Sequence, residues 1–217
     1  MTRPIMDLFD DTPQTDEPLA PGAIILRGFT CDIADAILSD LHGVVREAPF
    51  RQMVTPGGWQ MSVAMTNCGS LGWVTDRTGY RYDPVDPETG HLWPAMPTTY
   101  GNLAQRAAEA AGFARFEPDA CLINRYEPGA RLSLHQDRNE RDYDAPIVSV
   151  SLGVPATFLW GGMARSQRPR RLRLTHGDVV VWGGPARLTF HGIDPLPSAD
   201  HPATGGVRYN LTFRKAG

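Results

Sequence analysis

His135-Gln136-Asp137, with a second histidine far downstream at His191, is the part of this sequence best equipped for chemistry. Residues two apart on an extended strand point to the same face. The His135 imidazole and the Asp137 carboxylate are therefore expected side by side. A histidine from a later strand would complete a set of two imidazoles and one carboxylate. Such a set covers one face of an octahedral metal and leaves the opposite face open, as in non-haem Fe(II) oxygenases.

His-x-Asp alone is a weak pattern, and the last strand gives it weight. In Arg208-Tyr209-Asn210-Leu211-Thr212-Phe213-Arg214, alternation sets Arg208, Asn210, Thr212 and Arg214 on one face and Tyr209, Leu211 and Phe213 on the other. Two guanidiniums and an amide make a poor core unless an anion lies among them. Guanidiniums grip carboxylates through paired hydrogen bonds, and a dicarboxylate such as 2-oxoglutarate would occupy both. The plainer alternative is a surface strand whose arginines pair with neighbouring acids.

These side chains need a scaffold of short strands. After Phe116 the sequence predicts strands at Cys121–Tyr126, Arg131–Asp137, Ile147–Leu152, Thr157–Trp160, Arg171–Leu174, Val179–Trp182, Leu188–Gly192 and Val207–Phe213, separated by glycine or proline. Many short strands with regular turn residues indicate an antiparallel jelly roll or barrel. Asp32–Glu47 reads as an amphipathic helix capped by Thr30 or Asp32, and Thr98–Ala111 as a second helix stopped by Gly112. From Phe50 to Pro97 glycines, prolines and aromatics are dense (Trp59, Trp73, Tyr80, Tyr82, Trp93), the texture of a lid rather than a core layer. The first twenty residues read as a flexible extension. The division expected is 1–48 extension and helix, 49–97 lid, 98–217 core.

At 217 residues, with 41% hydrophobic and 21% charged content, the chain suits a single globular domain. No stretch approaches the roughly 20 apolar residues of a membrane span, and no secretory leader opens it. Cys31, Cys68 and Cys121 are scattered without metal-type spacing, so reduced thiols in a cytoplasm are expected. The net charge of −3 hides an asymmetry. Residues 1–50 carry three basic and nine acidic groups (−6), whereas residues 151–217 carry nine basic and three acidic (+6). Arg165, Arg168, Arg170, Arg171 and Arg173 form a cluster able to track phosphates. Twenty of the 21 basic residues are arginine, however, so a compositional bias explains such a run equally well.

Longer strings carry a resemblance: Phe50 to Gly58, Met61 to Gly69, Trp93 to Pro97, Asp119 to Asp137, Ala145 to Gly153, His176 to Gly184, and Arg208 to Arg214. In these the chain resembles the AlkB family of dioxygenases, its bacterial members above all, from about Pro21 to Arg214. The resemblance implies a double-stranded β-helix core flanked by helices under a substrate lid. It implies Fe(II), 2-oxoglutarate and O2 as cofactor and cosubstrates. The metal would sit on His135, Asp137 and His191, and 2-oxoglutarate on Asn124, Tyr126, Arg208, Asn210 and Arg214. The implied reaction is oxidative demethylation of 1-methyladenine and 3-methylcytosine in DNA, releasing formaldehyde, succinate and CO2.

A base inside a duplex is out of reach, so the DNA would be single-stranded or have its base flipped out. By similarity Trp73 stacks on that base across from His135, Tyr80 and Tyr82 contact the strand, Thr55 and Met61 shape the pocket, and Arg165 makes a further contact. The resemblance places an acid at position 139, where this chain has Asn139 followed by Glu140. An oxygenase of the same core acting on RNA, a protein side chain or a small molecule, and a non-catalytic jelly-roll module with a closed metal site, are the rival readings; a monomer is the default.

Overall fold

The computed structural model describes residues 15–217. Most of the extension expected at 1–20 lies outside the described residues. In chain order the elements are β1 (Glu17–Ala20), β2 (Ala23–Leu26), α1 (Ala34–Glu47), β3 (Ala64–Gly69), β4 (Gly72–Asp76), β5 (Gly79–Asp83), α2 (Thr98–Ala110), β6 (Ala120–Tyr126) and β7 (Leu132–His135). They continue with β8 (Ile147–Gly153), β9 (Ala156–Trp160), β10 (Arg170–Leu174), β11 (Val179–Trp182), β12 (His191–Ile193) and β13 (Arg208–Arg214).

Seven strands form a large sheet in the order β1-β2-β11-β8-β13-β6-β3, and four form a small sheet in the order β10-β9-β12-β7. Their ladders are antiparallel throughout. The two sheets face each other as a double-stranded β-helix, the jelly roll expected. Period-two alternation decides what each face buries. From the large sheet Leu122, Ile147, Val180 and Trp182 point inward to meet Ala156, Phe158, Trp160 and Ile193 of the small sheet. The intervening residues Ile123, Val148, Val150, Val181, Leu211 and Phe213 point outward and are covered by Ile37 and Leu41 of α1 and Tyr100 and Leu103 of α2. Strands buried on both faces read as nearly continuous apolar runs, as Val179-Val180-Val181-Trp182 does. No helix among the described residues is long and apolar enough to cross a membrane.

Four sequence-based expectations need correction. Glu17–Ala20 is an edge strand rather than loose chain, because Arg27 bridges Glu17 at 2.7 Å and Asp178 at 2.8 Å. Neither Thr30 nor Asp32 caps α1 with its side chain: a 3-10 turn at Cys31–Ile33 leads into the helix, and the Thr30 hydroxyl instead donates to the Gly177 carbonyl. The segment expected as a lid contributes β3 to the large sheet, where Met65, Asn67 and Cys68 are buried beside β6. Only β4 and β5 stand apart, as a two-stranded hairpin. Finally, β7 stops at His135, so Asp137 follows the strand instead of continuing it.

Candidate active site

A cavity of about 350 Å³ opens between the sheets, walled by β6, β8 and β13 on one side and β7 and β12 on the other. His135 of β7 and His191 of β12 are cross-strand partners. Gly192 permits this close pairing, since a Cβ there would lie 2.7 Å from the Leu132 carbonyl oxygen. One ligand atom each from His135, Asp137 and His191 falls within 4.8 Å of the others. The three residues come together as the spacing foretold, although Asp137 is placed by the loop after β7.

Each imidazole is oriented by a backbone carbonyl. His135 Nδ1 lies 2.8 Å from the Ser133 oxygen and His191 Nδ1 lies 3.0 Å from the Thr189 oxygen. A carbonyl only accepts, so both Nδ1 atoms carry the hydrogen and both Nε2 atoms keep a free lone pair for a metal. Burial, helped by the nearby His135 ring, pushes His191 down to about 4, so it is a neutral ligand at pH 7. Burial pushes the Asp137 carboxyl up, but the Arg214 guanidinium, with His191 and His135, reverses this and holds it well below the usual carboxylate range. Two imidazoles held by their Nδ1 atoms, with Nε2 turned to the metal position, and an ionised carboxylate fit Fe(II).

The last strand turns its polar face into the cavity, and its two arginines divide the labour. Arg214 sits at the metal end: its Nε and Nη2 donate to Asp137 Oδ2 at 3.1 and 2.8 Å. Arg208 sits at the far end, 1% exposed, over the Tyr126 ring at 5.0 Å. Its Nη2 donates to Ser151 Oγ at 3.0 Å, while Nε and Nη1 have no partner. A buried guanidinium with two idle donors is costly unless an anion reaches it. That orphaned pair is the structural mark of a missing carboxylate, and it fits 2-oxoglutarate. Asn210 is spent on support, with Nδ2 donating to Ser149 Oγ at 2.8 Å and to the Val150 carbonyl at 2.9 Å. Asn124 lies beside it, with Oδ1 buried and unpartnered.

At the mouth, Thr55, Met61, Trp73, Tyr80 and Asn139 line the cavity. Trp73 stacks on Tyr80 with centroids 5.7 Å apart, and its Nε1 donates to Asn139 Oδ1 at 3.2 Å. Two of the expected substrate residues are not brought in. The Tyr82 hydroxyl is turned away, donating to Glu140 at 2.6 Å, and its ring borders a neighbouring groove. Arg165 is exposed in the loop between β9 and β10 and takes no part in the lining. Its neighbours in the basic cluster are partly committed, Arg170 to Glu17 and Arg171 to Asp194.

Sequence reasoning missed three supporting residues. Asn67, fully buried, clamps the backbone of Trp73 through two hydrogen bonds at 2.9 and 3.0 Å. Glu140 and Arg187 form a buried pair at 3.0 Å, and Arg187 also donates to the Asp137 carbonyl. Nothing in the polar run Arg138 to Asp144 marks Glu140 as the buried member. Removing its carboxylate leaves Arg187 without a countercharge. Glu140→Ala is expected to cost about 3–5 kcal/mol, read as a lower urea midpoint at unchanged slope.

The 2OG-Fe(II) oxygenase superfamily profile matches residues 22–214. "Alpha-ketoglutarate-dependent dioxygenase AlkB" of Escherichia coli strain K12 is 61% identical over 213 residues, 98% of this chain and 99% of that protein. The "Alpha-ketoglutarate-dependent dioxygenase AlkB homolog" of Caulobacter vibrioides is 48% identical over 182 residues, 83% of this chain and 81% of that protein. The "tRNA demethylase abh1" of Schizosaccharomyces pombe is 32% identical over 147 residues, 67% of this chain and 47% of that protein. Among solved structures, that of OsALKBH1 aligns with a TM-score of 0.81 at 27% identity, covering 93% of this chain and 100% of that one.

Proposed function

For a chain that belongs to the 2OG-Fe(II) oxygenase superfamily and, within it, to the AlkB dioxygenases, we propose repair of N-alkylated bases in DNA by oxidative demethylation, with 1-methyladenine and 3-methylcytosine among the substrates. Iron, 2-oxoglutarate and O2 supply, when bound, the oxidation that releases a base N-methyl group as formaldehyde while 2-oxoglutarate leaves as succinate and CO2.

The protein's share is positioning. His135, Asp137 and His191 hold the metal. Arg214 keeps Asp137 ionised and aimed, and Arg208 takes the distal carboxylate of 2-oxoglutarate through Nε and Nη1. Asn124, Tyr126 and Asn210 wall that pocket, and Trp73 offers its indole face to the base, a stack that stabilises binding by about 1–3 kcal/mol. Arg165 and Tyr82, outside the cavity, are left to contact the strand beyond the target base. A base reaches this cavity only when unpaired, so single-stranded or base-flipped DNA is the form bound. We take the protein to act as a monomer in a cytoplasm, where Cys31, Cys68 and Cys121 stay as free thiols.

The observation that carries this reading is the union of the metal triad with the idle, buried Arg208 in one cavity. A resemblance to a tRNA demethylase keeps RNA as the second reading. The test incubates protein, Fe(II), 2-oxoglutarate and a single-stranded oligonucleotide bearing one 3-methylcytosine, in DNA and RNA versions, and weighs the product. Loss of one methylene with matching succinate is expected, faster on DNA. Succinate without demethylation would move the substrate elsewhere, and a faster RNA reaction would favour the second reading.

A further inference from the structure

The imidazoles of His176 and His201 stack with centroids 4.4 Å apart and planes at 18°, and neither lines the cavity. His176 belongs to the turn between β10 and β11, and His201 to the loop between β12 and β13. We infer that the stacked pair is a clasp that positions Arg208 for 2-oxoglutarate, and that it opens when acid protonates the rings. Affinity for 2-oxoglutarate, rather than the chemical step, then falls with pH. The inference rests on the reading of Arg208 as the anchor of the distal carboxylate.

Arg208 opens β13, and its partner across the ladder is Gly153, the last residue of β8. The His176 turn grips this end of β8 at two points. The Gly153 N–H donates to His176 Nδ1 at 3.0 Å, and the Gly177 N–H donates to the Ser151 carbonyl at 2.8 Å. Ser151 is also the residue whose hydroxyl accepts from Arg208 Nη2. The His201 loop closes over the same spot. Its Val207 carbonyl accepts from the Val154 N–H at 3.2 Å and from the Thr204 hydroxyl at 2.8 Å. Contact there is close, since a Cβ on Gly153 would lie 2.5 Å from the Val207 carbonyl oxygen. Turn and loop thus hold the strand ends that carry and support Arg208, and the two rings join them.

A backbone N–H only donates, so the ring nitrogen facing it must be bare. The Ala203 N–H donates to His201 Nδ1 at 3.2 Å, as Gly153 does to His176. Both rings are therefore neutral, with hydrogen on Nε2. Protonation puts a hydrogen on Nδ1, against the buried Gly153 N–H, and sets two positive rings face to face. A buried donor without its acceptor and two like charges in contact both favour opening.

Nearby groups do little to hold the charged form. Asp35 of α1 is exposed and pulls His176 upward, but burial and the His201 ring outweigh it and keep His176 below the usual histidine range. Burial likewise lowers His201. Asp178 is committed to Arg27 and the Gly28 N–H, Asp194 to Arg171, and the Cys31 thiol donates to the His176 carbonyl. Asp200, next to His201, is exposed. For bases held low in the fold, the neutral, closed form prevails above the ordinary histidine value of about 6.5, and the clasp weakens as pH falls below it.

His176→Asn tests the clasp, because an asparagine carbonyl accepts from the Gly153 N–H yet cannot become charged. The KM for 2-oxoglutarate would be followed from about pH 8 to about pH 5.5, where both its carboxylates stay ionised. Equilibrium binding of 2-oxoglutarate to protein saturated with Mn(II) would be followed alongside. Titration at the metal end is common to both proteins and cancels in the comparison. The acid-induced rise in KM and Kd is expected to be about tenfold larger in native protein than in the variant, with parallel kcat profiles. Amide exchange at Gly153, corrected for its intrinsic pH dependence, should lose protection in acid in native protein and keep it in His176→Asn. His201→Phe, which keeps a stacked ring without the charge, should move the midpoint of the rise to higher pH. Equal rises in native protein and His176→Asn overturn the inference while leaving Arg208 as the anchor. If His176→Asn fails to fold, His201→Phe decides, and an unmoved or lowered midpoint overturns the clasp. Native protein that binds no 2-oxoglutarate even at about pH 8 removes the functional reading and the inference with it.

Discussion

His135→Ala protein is expected to fold, to lose Fe(II) binding, and to release neither succinate nor formaldehyde above background. The choice of position matters. The His135 side chain is 39% exposed, and its ring makes one hydrogen bond, to the Ser133 carbonyl. Truncating it removes a metal ligand while sparing the core. Loss of a group that merely supports a ligand costs about 10–100-fold in metal affinity, so loss of the ligand itself should cost more. Asp137→Ala should abolish turnover equally, but it also strips the buried Arg214 of its closest partner at 2.8 Å and is expected to lower stability. Metal titration, succinate release and thermal unfolding on both variants separate the two effects. Succinate formed by rigorously iron-free protein would sink the mechanism.

The contrast between these positions shows what a linear sequence discloses. The anion-binding face was legible because alternation on a strand is a strict rule, which the arginine-bearing last strand obeyed: Arg208, Asn210, Thr212 and Arg214 all line the cavity while Leu211 and Phe213 are packed under the helices, whereas Asp137 reaches His135 through the loop after β7 and not by alternation. The jelly roll followed from strand length and turn residues. What stayed hidden was tertiary in origin. β3 read as part of an irregular lid because its segment is rich in glycine and aromatics, yet ladder bonds to β6 recruit it to the large sheet. Glu140 looked like one polar residue among many, and only the convergence of Tyr82, Arg187 and Arg214 shows why it is buried. Tyr82 and Arg165 came from resemblance, which conveys residue type but not where a side chain points.

Arg208→Met should raise the KM for 2-oxoglutarate by about 100-fold or more, since breaking a buried, hydrogen-bonded charge pair costs about 2–5 kcal/mol. In the same variant, stability measured without 2-oxoglutarate should hold or rise. These opposite signs follow from one observation. Burial alone presses the Arg208 guanidinium below its usual pKa, Tyr126 only partly offsetting this, and no acid among the described residues pairs with it. The charge is thus a burden on the unliganded fold and an asset once a carboxylate arrives. A ligand at 100 times its Kd stabilises a protein by about 2.7 kcal/mol, and Arg208→Met should lose that increment at concentrations that saturate the native protein. Arg208→Lys, which keeps the charge but not the fork, should fall between. A surface strand balanced by neighbouring acids would behave otherwise, because removing its arginine would cost stability and leave KM untouched. Thermal unfolding of the native protein and both variants, with and without 2-oxoglutarate, therefore decides whether the last strand was built for packing or for an anion.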